Sequence, residues 1–177
     1  MKKYILIGIP YSGKSTLGRR LAEKLQLLFF DTDAMVRERE NIKSIRDFVR
    51  ITFSGQFMTA QREVMIELAR LEGPAVISTG AEVALMPECA SLMKVMGTVI
   101  HIQRKPEIIL EELKGSKRAG FVKVNPDGTE TDMNSHTVKL YAEEISQYEA
   151  AAHLTLENNG TEDEGLENLI TLLKSIP

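Results

Sequence analysis

Cysteine is almost missing from this chain. Cys89 stands alone, which excludes an intramolecular disulfide framework and suits a reducing compartment. No apolar run is long enough to cross a bilayer. The early stretch YILIGI is short and leads straight into a glycine loop with no cleavage site, so it does not read as a secretion signal. Neither sign of charge is in large excess: 22 Lys and Arg against 25 Asp and Glu leave a net charge of −3, which gives no reason to expect nucleic acid or an anionic membrane as partner. Internal repeats, low-complexity tracts and interdomain linkers are also lacking. With 177 residues, 43% apolar, the chain is long enough to bury a full core. The expectation is a cytoplasmic, monomeric protein with one domain over residues 1–177.

Five short apolar runs bounded by glycine, proline or polar residues are expected as buried strands: Tyr4–Ile9, Leu27–Phe30, Ala75–Thr79, Thr98–Gln103 and His153–Leu156. Amphipathic stretches lie between them. Leu17, Leu21 and Leu25 recur every fourth residue in GKSTLGRRLAEKL, and IKSIRDFVRI and FMTAQREVMIELARL carry the same period. PEIILEEL opens with Pro106, a favoured first helical residue, and Thr161 with Glu164 forms a capping box before EGLENLITLL. Strands alternating with helices predict a three-layer α/β sheet with right-handed crossovers. Residues 115–134 break the pattern; polar and rich in glycine, they read as a loop serving as a lid.

The segment GIPYSGKST sets Gly8 and Gly13-Lys14-Ser15 at Walker A spacing, after a strand and before a helix. In that context backbone N–H groups of the loop and helix start converge on phosphate. Lys14 reaches the β- and γ-phosphates, and the Ser15 hydroxyl is placed for Mg²⁺. Nucleotide binding follows. FFDTDAMV then puts Asp31 and Asp33 past the carboxyl end of the second strand, where open α/β sheets bind ligands. On an extended segment these two acids project to one side. One would hold magnesium through water, the other would orient an acceptor hydroxyl and take its proton; the bland alternative is a helix cap.

The loop GIPYSGKST, then GRRLAEKL, DTD and VISTG, resembles the shikimate kinases among the nucleoside-monophosphate-kinase-like P-loop proteins. TVKLYAEEISQYEAAAHLTLEN continues the likeness more loosely. The resemblance implies a five-stranded parallel sheet in the order 2-3-1-4-5, ATP with Mg²⁺, and phosphoryl transfer to a hydroxyl of a small cyclic acid. It places the phosphate loop on Gly8 through Thr16, including Ser12, Gly13, Lys14 and Ser15. It places the magnesium-linked aspartate on Asp31, the base-like acceptor aspartate on Asp33, and the lid arginine that neutralises the transferring group on Arg118.

The chain departs from that family where the acceptor binds. The family's carboxylate-binding arginine on the third helix falls on Met58; Arg62 is one turn further along, roughly 6 Å. A second such arginine falls at or beside Glu144 and Ile145. The triple glycine after the third strand is reduced to Gly80, followed by Ala81 and Glu82. Methionine cannot replace a bidentate guanidinium, and a Glu82 pointing inward would repel an acidic acceptor.

Three functions fit these residues: a kinase for shikimate, a kinase for a less acidic small acceptor contacting Asp33, Met58 and Gly80, and a nucleotide-binding relative without catalysis that works as a sensor or partner module. No Asn-Lys-x-Asp guanine signature occurs, which disfavours a GTPase, and Lys114, Lys117 and Arg118 form too thin a cluster to favour a nucleoside-monophosphate kinase. His101 and His153 are expected as satisfied structural histidines, Met58, Met65, Met93 and Met96 as gap fillers, and Cys89 as unreactive.

Overall fold

The computed structural model describes residues 3–43, 54–114, 122–124 and 130–175. Five parallel strands form the central sheet: β1 (Lys3–Ile7), β2 (Leu28–Asp31), β3 (Ala75–Ser78), β4 (Gly97–Gln103) and β7 (Leu154–Glu157). Their spatial order is β2-β3-β1-β4-β7, which is 2-3-1-4-5 counted along the sheet's own strands. Every expected strand is present, shifted by a residue or two at its ends. The register pairs Ile5 with Ile77 on one side and with Val99 on the other.

Side chains alternate across the pleat, so each strand feeds both faces. Leu6, Val76 and Ile100 meet Leu17 and Leu21 of α1 (Lys14–Leu25) and Leu169 of α8 (Glu162–Lys174). Ile5, Ile77 and Val99 meet the opposite layer, which contains α3 (Ser54–Arg70), α4 (Pro87–Met96) and α7 (Ile145–Ala151). Val64, Leu68, Met93 and Tyr148 are its buried contributions. Burial of one such side chain is worth about 1.5–3 kcal/mol, so the two layers pin the strand ends that carry the site. The α1 face is narrower than its leucine repeat predicts: Leu25, in the last turn, is left 39% exposed.

Helix ends follow sequence signals. Thr161 and Glu164 make the full reciprocal capping box at α8, and Pro106 opens α5 (Pro106–Leu113). Lys3 is buried because its Nζ donates to the Leu68 and Ala69 carbonyls at the end of α3, at 2.9 and 3.3 Å. The expected helix over IKSIRDFVRI lies mostly outside the described residues. The 115–134 stretch is not wholly loop: β5 (Val122–Val124) and β6 (Glu130–Asp132) pair antiparallel, and α6 (Met133–Ala142) begins before its end. Alternation is weak over three-residue strands, so the polar composition hid them.

Candidate active site

The loop from Gly8 to Gly13 joins β1 to α1 at the carboxyl edge of the sheet. Gly8 has φ +144, and a Cβ there would sit 2.5 Å from the Ile102 carbonyl oxygen of β4, so only glycine lets the loop lie this close. Asn158, just past β7, donates from Nδ2 to the Ser12 carbonyl at 2.8 Å and ties the loop to the far side of the sheet. Lys14 is buried at the start of α1, its Nζ donating to the Ile9 carbonyl at 2.8 Å. Burial pulls its pKa down to about 8, against the raising influence of Asp33, Asp31 and Glu82.

Ser15, one residue along, donates its hydroxyl to Asp31 Oδ2 at 2.6 Å and lies 3.1 Å from the Ser78 hydroxyl of β3. Asp31 ends β2 and also caps α2 (Thr32–Arg39), its Oδ1 accepting from the Ala34 N–H at 3.1 Å. The expected helix cap is therefore Asp31, which accepts from the Ser15 hydroxyl as well. Asp33 does not sit on an extended segment: the chain turns helical at Thr32, and Asp33 is in the first turn of α2. It still lies within electrostatic reach of Asp31 and Lys14, because the helix begins at the strand end. Burial raises its pKa above the ordinary aspartate range, opposed by a hydrogen bond from Gln61 Nε2 at 2.7 Å and the nearby Lys14. Asp31 and Glu82 push it further up. A carboxylate so placed is a candidate general base.

Gly80 closes this corner. Its N–H donates to Thr32 Oγ1 at 2.8 Å, and a Cβ on it would meet Asp33 Oδ1 and Gln61 Nε2, each at 2.5 Å. The following 3-10 turn (Ala81–Leu85) carries Glu82 inward: its Oε1 accepts from the Tyr141 hydroxyl of α6, and its charge is felt at Lys14 and Asp33. Tyr148 of α7 fixes the turn from below, donating to the Ala81 carbonyl at 3.0 Å.

On the other side of the loop lies a cavity of about 750 Å³. Gly13, Lys14, Ser15 and Thr16 line it, with Arg104 and Asn158 across from them. Gly8 and Ser12 stay buried outside its lining. Arg104 was not singled out from the sequence, although it follows the carboxyl end of β4, the position that marked Asp31 and Asp33. Gln61 and Tyr141 were missed too; only tertiary packing brings them to the strand ends.

A family profile described as shikimate kinase matches residues 10–174. A shikimate kinase from Pelotomaculum thermopropionicum is 31% identical over 176 residues, covering 98% of this chain and 96% of the relative. The chain belongs to the shikimate kinase family. Among solved structures, the shikimate kinase from Aquifex aeolicus matches with a TM-score of 0.77 and 28% identity, over 97% of this chain and 96% of that one. The Acinetobacter baumannii shikimate kinase, solved in complex with shikimate, shares the fold at a TM-score of 0.81 with 21% identity, over 100% of this chain and 96% of that one.

Met58 is 39% exposed on α3. Arg62, one turn further along, donates from Nε and Nη2 to Glu88 Oε1 at 2.8 and 2.5 Å. Glu144 precedes α7 and accepts from the Gln147 amide, while Ile145 begins that helix. Arg118 lies outside the described residues, as do the lid segments 115–121 and 125–129. His101 is buried and stacks on Tyr148 with ring centroids 5.5 Å apart, yet its Nδ1 has no partner among the described residues, so it is not the satisfied histidine expected. Cys89 is inert as expected, its thiol pushed up to about 11 by burial.

Proposed function

We propose that this shikimate kinase relative transfers the γ-phosphoryl group of ATP to a hydroxyl of shikimate or a related small acceptor, with Asp33 as the base. The carrying observation is that Lys14, after β1, lies within electrostatic reach of Asp31 and Asp33, at the end of β2, and lines a cavity on the phosphate loop.

Lys14 exchanges the Ile9 carbonyl for phosphate oxygens when nucleotide enters. Asp33 accepts the proton of the acceptor hydroxyl as its oxygen bonds to the γ-phosphorus and the bond to the bridging oxygen of ADP breaks. Gln61 holds the Asp33 carboxylate in place during that transfer. Ser15 and Asp31 would hold Mg²⁺. The fit is good: adjacent hydroxyl and carboxylate oxygens, 2.6 Å apart, are hard donors of the kind this ion takes, usually one or two from protein and the rest from phosphate and water. When bound, Mg²⁺ supplies charge neutralisation at the β- and γ-phosphate oxygens.

Arg118 and the 115–134 lid belong to the same proposal, the arginine balancing charge on the transferring group. Removing it as Arg118→Ala is expected to lower kcat by about 10³-fold or more if it plays that role. The proposal extends to a monomer working in the cytoplasm; no helix among the described residues is long and apolar enough to cross a membrane. A coupled ADP-release assay with shikimate, ATP and Mg²⁺ tests the reading. Turnover above background ATPase supports it, and no stimulation at saturating ATP sinks the shikimate version.

A further inference from the structure

We infer that Glu82 sets the acceptor's charge, so that the preferred substrate is a hydroxyl compound carrying an ammonium group where shikimate carries its carboxylate. This rests on the kinase reading and narrows its acceptor.

The polar atoms on this side of the cleft have one chemical character. Glu82 gives Oε1 to the Tyr141 hydroxyl and has no other partner among the described residues. Asp33 gives Oδ1 to Gln61. Gln61 is fully buried against Gly80, and with Nε2 committed to Asp33 its Oε1 has no donor among the described residues. The Gln61 amide oxygen is thus a buried acceptor without a donor, next to the Asp33 carboxylate. An ammonium brings three donors and a positive charge; a carboxylate brings neither.

Among the described residues, the one cation felt at Asp33 is Lys14. Lys14 is directed to the phosphate loop, and Arg62 is held by Glu88. Nor are the acids a metal cage, for no group of three or more acidic, histidine or cysteine side chains among the described residues could hold an ion. An acidic acceptor would enter beside the Asp33 and Glu82 carboxylates and the γ-phosphate, with like charges at close range in a partly dry site.

The test uses three matched acceptors that differ only at one carbon: shikimate, its primary-alcohol analogue and its aminomethyl analogue. Phosphorylation is followed by ADP release with the full-length protein. The expected order of kcat/KM is amine, then alcohol, then carboxylate, with the ends at least tenfold apart. In Glu82→Gln the amine should lose its advantage by about tenfold and the carboxylate should gain, whereas Glu82→Asp, which keeps the charge, should retain the order. Equal or better use of shikimate by the unaltered protein, or an unchanged order in Glu82→Gln, overturns the inference. If none of the three is phosphorylated although ATP binds, the kinase reading is what suffers. Calorimetric binding of the three compounds to the ATP-loaded protein then decides the charge preference by the same ranking.

Discussion

Replacing Gly80 with alanine should damage catalysis while leaving the fold nearly untouched. The backbone there has φ −58 and ψ 153, which any residue adopts, so the substitution brings no conformational strain. The whole effect comes from one methyl group. Its carbon would lie 2.5 Å from both Asp33 Oδ1 and Gln61 Nε2, against an ordinary contact of 3.4 Å or more, so the pair must retreat by about 0.9 Å (3.4 minus 2.5). Both atoms are side-chain ends, and their movement weakens a hydrogen bond to a charged group without abolishing it, at a cost of about 1–2 of its roughly 1.5–3 kcal/mol. In a domain of this size that lowers Tm by about 2–8 °C. Misplacing a base by roughly 1 Å is far more harmful, on the order of 10²-fold in rate. Gly80→Ala should therefore keep its affinity for a fluorescent ATP analogue, melt a few degrees lower, and lose about 100-fold in kcat with the acceptor the unaltered enzyme uses. A variant with undiminished kcat would refute the reasoning, because the Asp33 position would then not matter to the reaction.

Asp33→Asn removes the base and should cost about 10²- to 10⁴-fold in kcat, measured by ADP release. Because burial holds the Asp33 pKa above the ordinary range, the acid limb of kcat/KM should lie at higher pH than for a typical aspartate, and its loss in the variant checks the assignment. The sign for stability is the reverse: a raised carboxyl pKa favours the fold at low pH and is unfavourable once pH rises through the folded value, so Asp33→Asn should melt higher than the parent at neutral pH. Lys14→Met should abolish tight ATP binding in a direct titration. In the parent without nucleotide, lowering the Lys14 pKa to about 8 means that part of the stability rises as pH climbs from there toward 10.5, and this rise should vanish in the variant. Leu21→Ala, at a fully buried site remote from the cleft, should cost about 2–5 kcal/mol in denaturant unfolding with kcat unchanged.

The sheet was legible because its strands are apolar runs bounded by breakers, and the phosphate loop because its residues are adjacent in sequence. Asp31 was found for the same reason, though its neighbour Asp33 was assigned to the wrong local geometry: an aspartate ending a strand also starts a helix, and the capping bond to Ala34 decides which. Gln61, Arg104 and Tyr141 were not legible. Each is a common surface residue type on its own element, and its meaning arises only when α3, β4 and α6 are packed together. Glu82 was visible as an anomaly in VISTGAEV, but its direction was not. The bond from Tyr141, 59 residues away, turns it inward. The paired strands within 115–134 escaped because three residues are too few to show a period.

The account stands on one product. The unaltered protein, incubated with ATP, Mg²⁺ and a library of small hydroxyl compounds, should form a single new phosphomonoester, seen by phosphorus NMR and mass spectrometry, with one ADP released per ester. Asp33→Asn should bind ATP equally well and form that ester at least 100-fold more slowly, in line with the loss of a general base. Equal rates in the two proteins, or tight ATP binding with no ester from any compound, would contradict it.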